Sequence, residues 1–537
     1  MSVEIAVAIA LLAVVLVGGA ALVSVRTNLP APVLLSVAGL VYAETSAPHV
    51  HLDPHFALYV LIPPLLYSAA LQASFVEIRA LRREVGLLSV GLPIVTALCI
   101  GFALHAVVPG LPLAAGIALG AAVAPNDPIS ALAIARGIGL PRRLVTVVEG
   151  ESLFNDASAL TTFTVAVAAV NGGFSAGGTA GRFVLAVGGG VVVGAVVGWL
   201  GGWVTERLTD ATLQSVLSLA LPFAAFLPAE QAHASGVLSV VVCGLLLGHR
   251  SPDILTGPAR LQGRSVWRVV DLLLEGVVFL LIGVQLPTVL DGLSDQQLGT
   301  IVGASAVTVA IVLFGRPLWL AATMLLPSRL GYAGAVHDAR ELAALSWAGM
   351  RGVITLAAVF ALPYVSAGQR FPSRDLLVFV AFLVVLVTLV GQGLTYVPLL
   401  RRLDIREDAA ARTQAIAVAR RTAIEAGLRR LDEIADPQVE SVVERLRQQA
   451  LDRVEVVRDR LAAAGLGGHG DETGAAERTA LARAAATLRV QMIEAERREL
   501  RRCRAMGTLD DTGLRRLQRE LDHEERALAV RLEVPHP

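Results

Sequence analysis

The sequence predicts an all-α membrane protein, with about 13 transmembrane helices, inverted repeats and two broken crossing helices, followed by a helical cytoplasmic tail. Three observations predict it. The 537-residue chain is 55% hydrophobic and 17% charged, with a mean hydropathy of +0.65. That is a smaller charged fraction than soluble domains carry. The apolar runs stop near residue 402, and Arg, Glu, Asp and Ala dominate from there on. Two of the runs are interrupted at their centres by Pro, Gly and charge. Composition therefore separates a transmembrane domain, 1–402, from a soluble domain, 403–537. The net charge of zero averages over this partition and says nothing about partners.

A spanning helix needs about 20 mostly apolar residues. Candidate spans centre near Val14, Ser36, Leu61, Pro93, Val123, Phe163, Gly194, Leu219, Val240, Phe279, Val309, Thr355 and Val385. The first lacks a basic leader and a small-residue cleavage site, so a retained helix is expected. Arginine sets the orientation. With the N-terminus outside, the inner connections hold Arg26; Arg79, Arg82 and Arg83; Arg136, Arg142 and Arg143; Arg207; Arg250 to Arg268; Arg329 and Arg340; and Arg401 and Arg402. The opposite connections are almost free of arginine, "SAGQRFPSR" excepted. This predicts a multi-pass protein of the cell membrane, N-out and C-in. Cys99, Cys243 and Cys503 are too dispersed for a disulfide framework or a metal site.

The first interrupted run is "GIALGAAVAPNDPISALAIAR", residues 116–136. Pro125 and Pro128 flank Asn126 and Asp127, and each removes a backbone donor, so the helix should unwind there. The second is "LAALSWAGMRGVITLAAVFALP", residues 342–363, with Gly349, Arg351 and Gly352 at its middle. Paired broken helices in the two halves of a chain point to a transporter with inverted repeats, because unwound backbone at membrane depth must line a cavity or be packed in protein.

Between them lies "GESLFNDASAL", residues 150–160. At about 100° per residue, Ser152 and Asp156 share one helical strip and Glu151 and Asn155 the next. A hydroxyl and a carboxylate are hard oxygen ligands suited to an alkali cation. A buried carboxylate with no partner takes a proton. Asp156 can therefore hold a proton or a cation, the exchange an antiporter needs. Glu151 needs a counter-charge, and Arg351, at the centre of the second break, is the expected partner. Glu275 and Arg316 are expected to pair with each other or with backbone carbonyls.

These stretches, with "PPLLYSAAL" (63–71), "NDPISALAIAR" (126–136), "VFLLIGVQL" (278–286) and "WAGMRGVITLA" (347–357), resemble the cation–proton antiporter 1 family. The resemblance covers most of residues 30–400. It implies exchange of sodium for protons, electroneutral and elevator-like, in a homodimer embedded in membrane lipid. Position by position it implies Asp156 as the ion- and proton-binding carboxylate, Ser152 as a ligand, and Asp127 and Asn126 completing the site. Asn155 would orient it, and Glu151 with Arg351 would form a structural ion pair. The transported cation would thus be held by Asp156, Ser152 and Asp127. Two departures bear on selectivity, whether for sodium, potassium or lithium: Asn126 stands where many relatives have threonine, and Ser68 where several archaeal ones have glutamate.

The tail reads as amphipathic helices near 408–434, 438–464, 473–505 and 509–531. It shows no nucleotide, nucleic-acid or metal motif, and no cofactor is expected. Two other functions compete. An intramembrane aspartyl protease would use the two acids as a dyad but gives the buried arginine and the broken helices no role. A channel would need a ring of carbonyls or charges rather than one buried site. No catalytic residues are therefore expected.

Overall fold

The computed structural model describes residues 3–27, 31–45, 56–126, 140–171, 176–294, 296–324, 338–366 and 369–405, and scattered positions beyond 420. The chain divides into two compact units, Met1–Glu407 and Asp408–Pro537. Among its described residues the first has helices and a small hairpin, in which Val365 pairs with Arg370 and Ser366 with Gln369.

Its helices are α1 (Val3–Thr27), α2 (Ala31–Ala43), α3 (Leu58–Gln72), α4 (Phe75–Ala80), α5 (Arg82–Val107) and α6 (Leu113–Val123). Then come α7 (Arg142–Asn171), α8 (Ala176–Arg207), α9 (Ala211–Gln231), α10 (Gly236–Ile254) and α11 (Gly257–Asp291). Last are α12 (Leu298–Met324), α13 (Ala339–Trp347), α14 (Val353–Phe360) and α15 (Arg374–Leu403). Among the described residues, 9 helices are long and apolar enough to cross a membrane, and α2, α3 and α6 are shorter apolar helices. Twelve of the thirteen expected span centres fall within these helices, and Thr355 falls in the shorter α14. The two interrupted runs are not single long helices among the described residues. The second broken run is divided into α13 and α14, and the first is described only to Asn126.

Hydrophobic burial cannot by itself drive apolar helices together in lipid, so close backbone approach matters. The α2–α11 contact shows it. A Cβ added to Gly39 would lie 2.1 Å from the Leu280 carbonyl oxygen, and one on Gly283 would lie 2.0 Å from that of Ser36. Only glycine fits at this crossing. Helix starts are closed by short polar side chains. Asp210 accepts from the backbone amides of Thr212 at 2.7 Å and Leu213 at 2.9 Å at the head of α9. Asp338 accepts from Glu341 N at 2.8 Å at the head of α13.

Three π-helical turns occur, Ala57–Leu61 at the start of α3, and Leu87–Gly91 and Val387–Gln392 within α5 and α15. Such turns widen the backbone ladder and occur often at functional sites. Two of them supply partners to the site described below.

Of the second unit, Arg447 is described bridging Asp432 at 2.7 Å and Glu444 at 2.8 Å. Most of the four helices expected there lie outside the described residues.

Gly283→Val should force α2 and α11 apart and cost about 1–3 kcal/mol, the usual range for overpacking. Gly18→Ala, where an added Cβ meets nothing within 4 Å, should change nothing. Thermal melts of the two variants in detergent check this.

Candidate functional site

The site begins with a backbone problem. In a helix the Ala124 carbonyl would accept from the amide four residues on, but that residue is Pro128, which has none. Pro125 likewise offers no amide to the Ala121 carbonyl. Helix α6 accordingly ends at Val123, and residues 124–126 are not helical. Carbonyls freed at membrane depth must find donors elsewhere.

Helix α7 and the second break provide them. Asn155 Nδ2 donates to the Ala124 carbonyl at 3.3 Å. Arg351 Nη1 donates to the same oxygen. Ser152 Oγ donates to the Asn126 carbonyl at 3.0 Å. The helical register expected from the sequence is present, and both polar strips of α7 face the unwound segment. Arg351 is only 2% exposed and stands in the gap between α13 and α14. Its own amide donates to Thr388 Oγ1 at 3.1 Å, in the π turn of α15. The π turn of α5 contributes likewise, since Ser89 O accepts from Ser158 Oγ.

The ion pair differs from expectation. Glu151 is fully buried, and its partner is Arg316 of α12 rather than Arg351. The contact is two-pronged. Arg316 Nη2 donates to Glu151 Oε2 at 2.8 Å, and Nη1 donates to Oε1. Asn126 Nδ2 donates to Oε1 as well. Arg316 Nε reaches the Leu345 carbonyl of α13 at 2.9 Å. The physical reason is that Arg351 is committed to the orphaned carbonyl of Ala124, a need that the motif spacing alone does not reveal. The carbonyl alternative for Arg316 is half right, because it serves a carbonyl and a carboxylate together. A planar guanidinium on a carboxylate is the geometry in which a buried pair best offsets its desolvation. Arg351 makes no ion pair among the described residues, although the charges of Arg316, Glu151 and Asp156 all act on it.

Asp156 lies one turn beyond Ser152 and is 3% exposed. The side-chain oxygens of Asn126 and Asn155 are buried with no hydrogen-bond partner among the described residues. They are neutral hard acceptors of the kind an alkali cation takes. Thus Asn126, Ser152, Asn155 and Asp156 converge with Arg351, while Glu151 is engaged with Arg316. Asp127 lies outside the described residues. Thr388 and Leu345 went unnoticed in the sequence, since a hydroxyl and a backbone carbonyl carry no signal there. Arg316 did carry one, as an arginine inside an apolar run.

Comparison with known proteins points the same way. Residues 10–402 match the family described as sodium/hydrogen exchanger, transmembrane. An uncharacterized Na(+)/H(+) exchanger of Mycobacterium tuberculosis is 32% identical over 96% of this chain and 95% of its own length. A sodium, potassium, lithium and rubidium/H(+) antiporter of Bacillus pumilus is 30% identical over 67% of this chain and 56% of its own length. The solved structure of the sodium proton antiporter MjNhaP1 from Methanocaldococcus jannaschii covers 75% of this chain and 98% of itself, with a TM-score of 0.59 at 19% identity. That likeness concerns the fold alone.

Removing one member of the buried pair, by Glu151→Gln or Arg316→Met, should cost about 3–5 kcal/mol because it strands the other charge. The double variant should lose less than the sum of the two. A double-mutant thermal cycle in detergent measures the coupling. It should be larger for Glu151 with Arg316 than for Glu151 with Arg351, and the reverse order would restore the original pairing.

Proposed function

The chain belongs to the sodium/hydrogen exchanger family, and we propose from that premise that it is a secondary antiporter exchanging sodium, or another monovalent cation, for protons. One observation supports this reading most: Asp156 stands beside carbonyls and amide oxygens at a broken helix, while the neighbouring acid is neutralised by Arg316. Glu151 is thereby engaged, and Asp156 is the carboxylate assigned to exchange its occupant. Proton and cation compete for it, so the loaded site carries the same charge in either form. Exchange in this scheme is electroneutral. The fixed positive charge of Arg351 favours an anion or a compensated cation at Asp156, and Asp127, outside the described residues, is assigned a constant charge.

The remaining architecture belongs to the same reading: about 13 spans with inverted repeats, N-out and C-in, a cytoplasmic tail beyond residue 402, and a homodimer in the cell membrane whose core moves like an elevator. The protein is a transporter and not an enzyme. The choice among sodium, potassium and lithium stays open in the proposal, because the Bacillus relative is named for several cations.

Proteoliposomes carrying a pH-sensitive dye test it. Addition of sodium should collapse a preset proton gradient. Asp156→Asn should abolish the response by at least about 100-fold while the protein still folds, since it deletes the exchanging group. Retained cation-driven proton flux in that variant would remove the assignment. A potassium/valinomycin clamp should leave the wild-type rate unchanged. A rate that follows the imposed voltage would show that Asp127 cycles too.

A further inference from the structure

Helix α11 carries an acid that the exchange scheme does not use. Asp271 lies about 21 Å along the helix from Gly257, at about 1.5 Å per residue. That places it inside the apolar span Pro258–Asp291, towards its arginine-rich end, where Arg264 and Arg268 are exposed. A carboxylate at such a depth usually pairs with an arginine or serves a function. Asp271 makes no ion pair among the described residues, although Arg268 is one turn away on the same helix. Its partner is Ser68 of α3, whose hydroxyl donates to Oδ1 at 2.6 Å.

The setting is built. Ser68 is 4% exposed. The ring of its neighbour Tyr67 lies 5.3 Å from that of Trp267, and Trp267 Nε1 donates to Ser218 Oγ at 3.0 Å. Gln72 Nε2 donates to the Ser68 carbonyl at 3.2 Å. These contacts fix both sides of the α3–α11 junction, so the hydroxyl is held on the carboxylate. Asp271 itself is only partly buried. Its second oxygen is not engaged by any described donor. Helix α3 also packs against α7, which carries Asp156.

We propose that Asp271, held by Ser68, is a second cation-accepting carboxylate that captures the transported monovalent cation at the arginine-rich end of α11 before it reaches Asp156. The inference rests on the antiport reading. A carboxylate oxygen is a hard ligand suited to an alkali cation. A negative charge held in low-dielectric surroundings raises the local cation concentration. The exposed arginines nearby repel cations, and an acid beyond them offsets that repulsion. Capture lowers the concentration at which transport half-saturates and leaves the turnover at Asp156 unchanged.

The test is initial rates of sodium-driven proton flux in oriented proteoliposomes over a range of sodium concentrations, presented from each side. Asp271→Asn should raise KM for sodium from the arginine-rich side about tenfold, within the range by which charged clefts concentrate ions, with kcat retained. Asp271→Glu should restore a wild-type KM. Ser68→Ala should raise KM by a smaller factor, because the carboxylate remains but is no longer held. An unchanged KM in Asp271→Asn overturns the proposal, and so does a fall in kcat with KM unchanged. If that variant does not fold, as judged by its melt in detergent, Ser68→Ala decides in the same way. No flux in the wild type would remove the antiport reading itself. Flux in the wild type with unaltered KM in the variants removes only this inference.

Discussion

A charge or an unpaired carbonyl at membrane depth must be answered within the protein, and the Glu151–Arg316 pair is where this chain answers several such demands together. The carboxylate takes both guanidinium prongs and the Asn126 amide, and the guanidinium goes on to the Leu345 carbonyl. Four segments are thereby joined: the first break, α7, α12 and α13. No segment could shift alone without stranding a buried charge, which is among the largest penalties a side chain can incur. The broken helices are thus held open by a network rather than by their own propensities.

The same constraint explains the division of labour between two arginines. Ala124 has lost its helical donor to Pro128, and Arg351 restores it together with Asn155. Arg351 therefore brings a positive charge to the site without consuming a carboxylate. With Glu151 neutralised elsewhere, the balance at the centre falls on Asp156. In the proposed exchange scheme, substrate chemistry and helix packing are linked here, because the hydrogen bonds that close the backbone come from the neighbours of Asp156 on α7.

Much of this was legible in the sequence. Prolines 125 and 128, with Gly349 and Gly352, announced two breaks. The spacing of Ser152, Asn155 and Asp156 announced a polar face on α7, and both meet in the structure. The partner of Glu151 was misassigned for a definable reason. Two acids inside apolar runs, Glu151 and Glu275, and two arginines, Arg316 and Arg351, admit more than one pairing, and the motif arginine was the more conspicuous. What decides between them is the Ala124 carbonyl, whose need depends on three-dimensional reach across 227 residues. The π turns in α5 and α15 were equally hidden, since neither Leu87–Gly91 nor Val387–Gln392 differs in composition from the helix around it. Asp271 was passed over because its hydroxyl partner is 203 residues away.

The central claim is that Asp156 holds a proton or a cation but never both. Proton release measures this directly. Purified protein in weakly buffered detergent solution, near the midpoint of its activity, is titrated with sodium while a dye follows pH. The account predicts proton release that saturates with cation binding, diminishes at alkaline pH where the site is already deprotonated, and vanishes in Asp156→Asn. Saturable sodium binding without release of protons at that midpoint would contradict it.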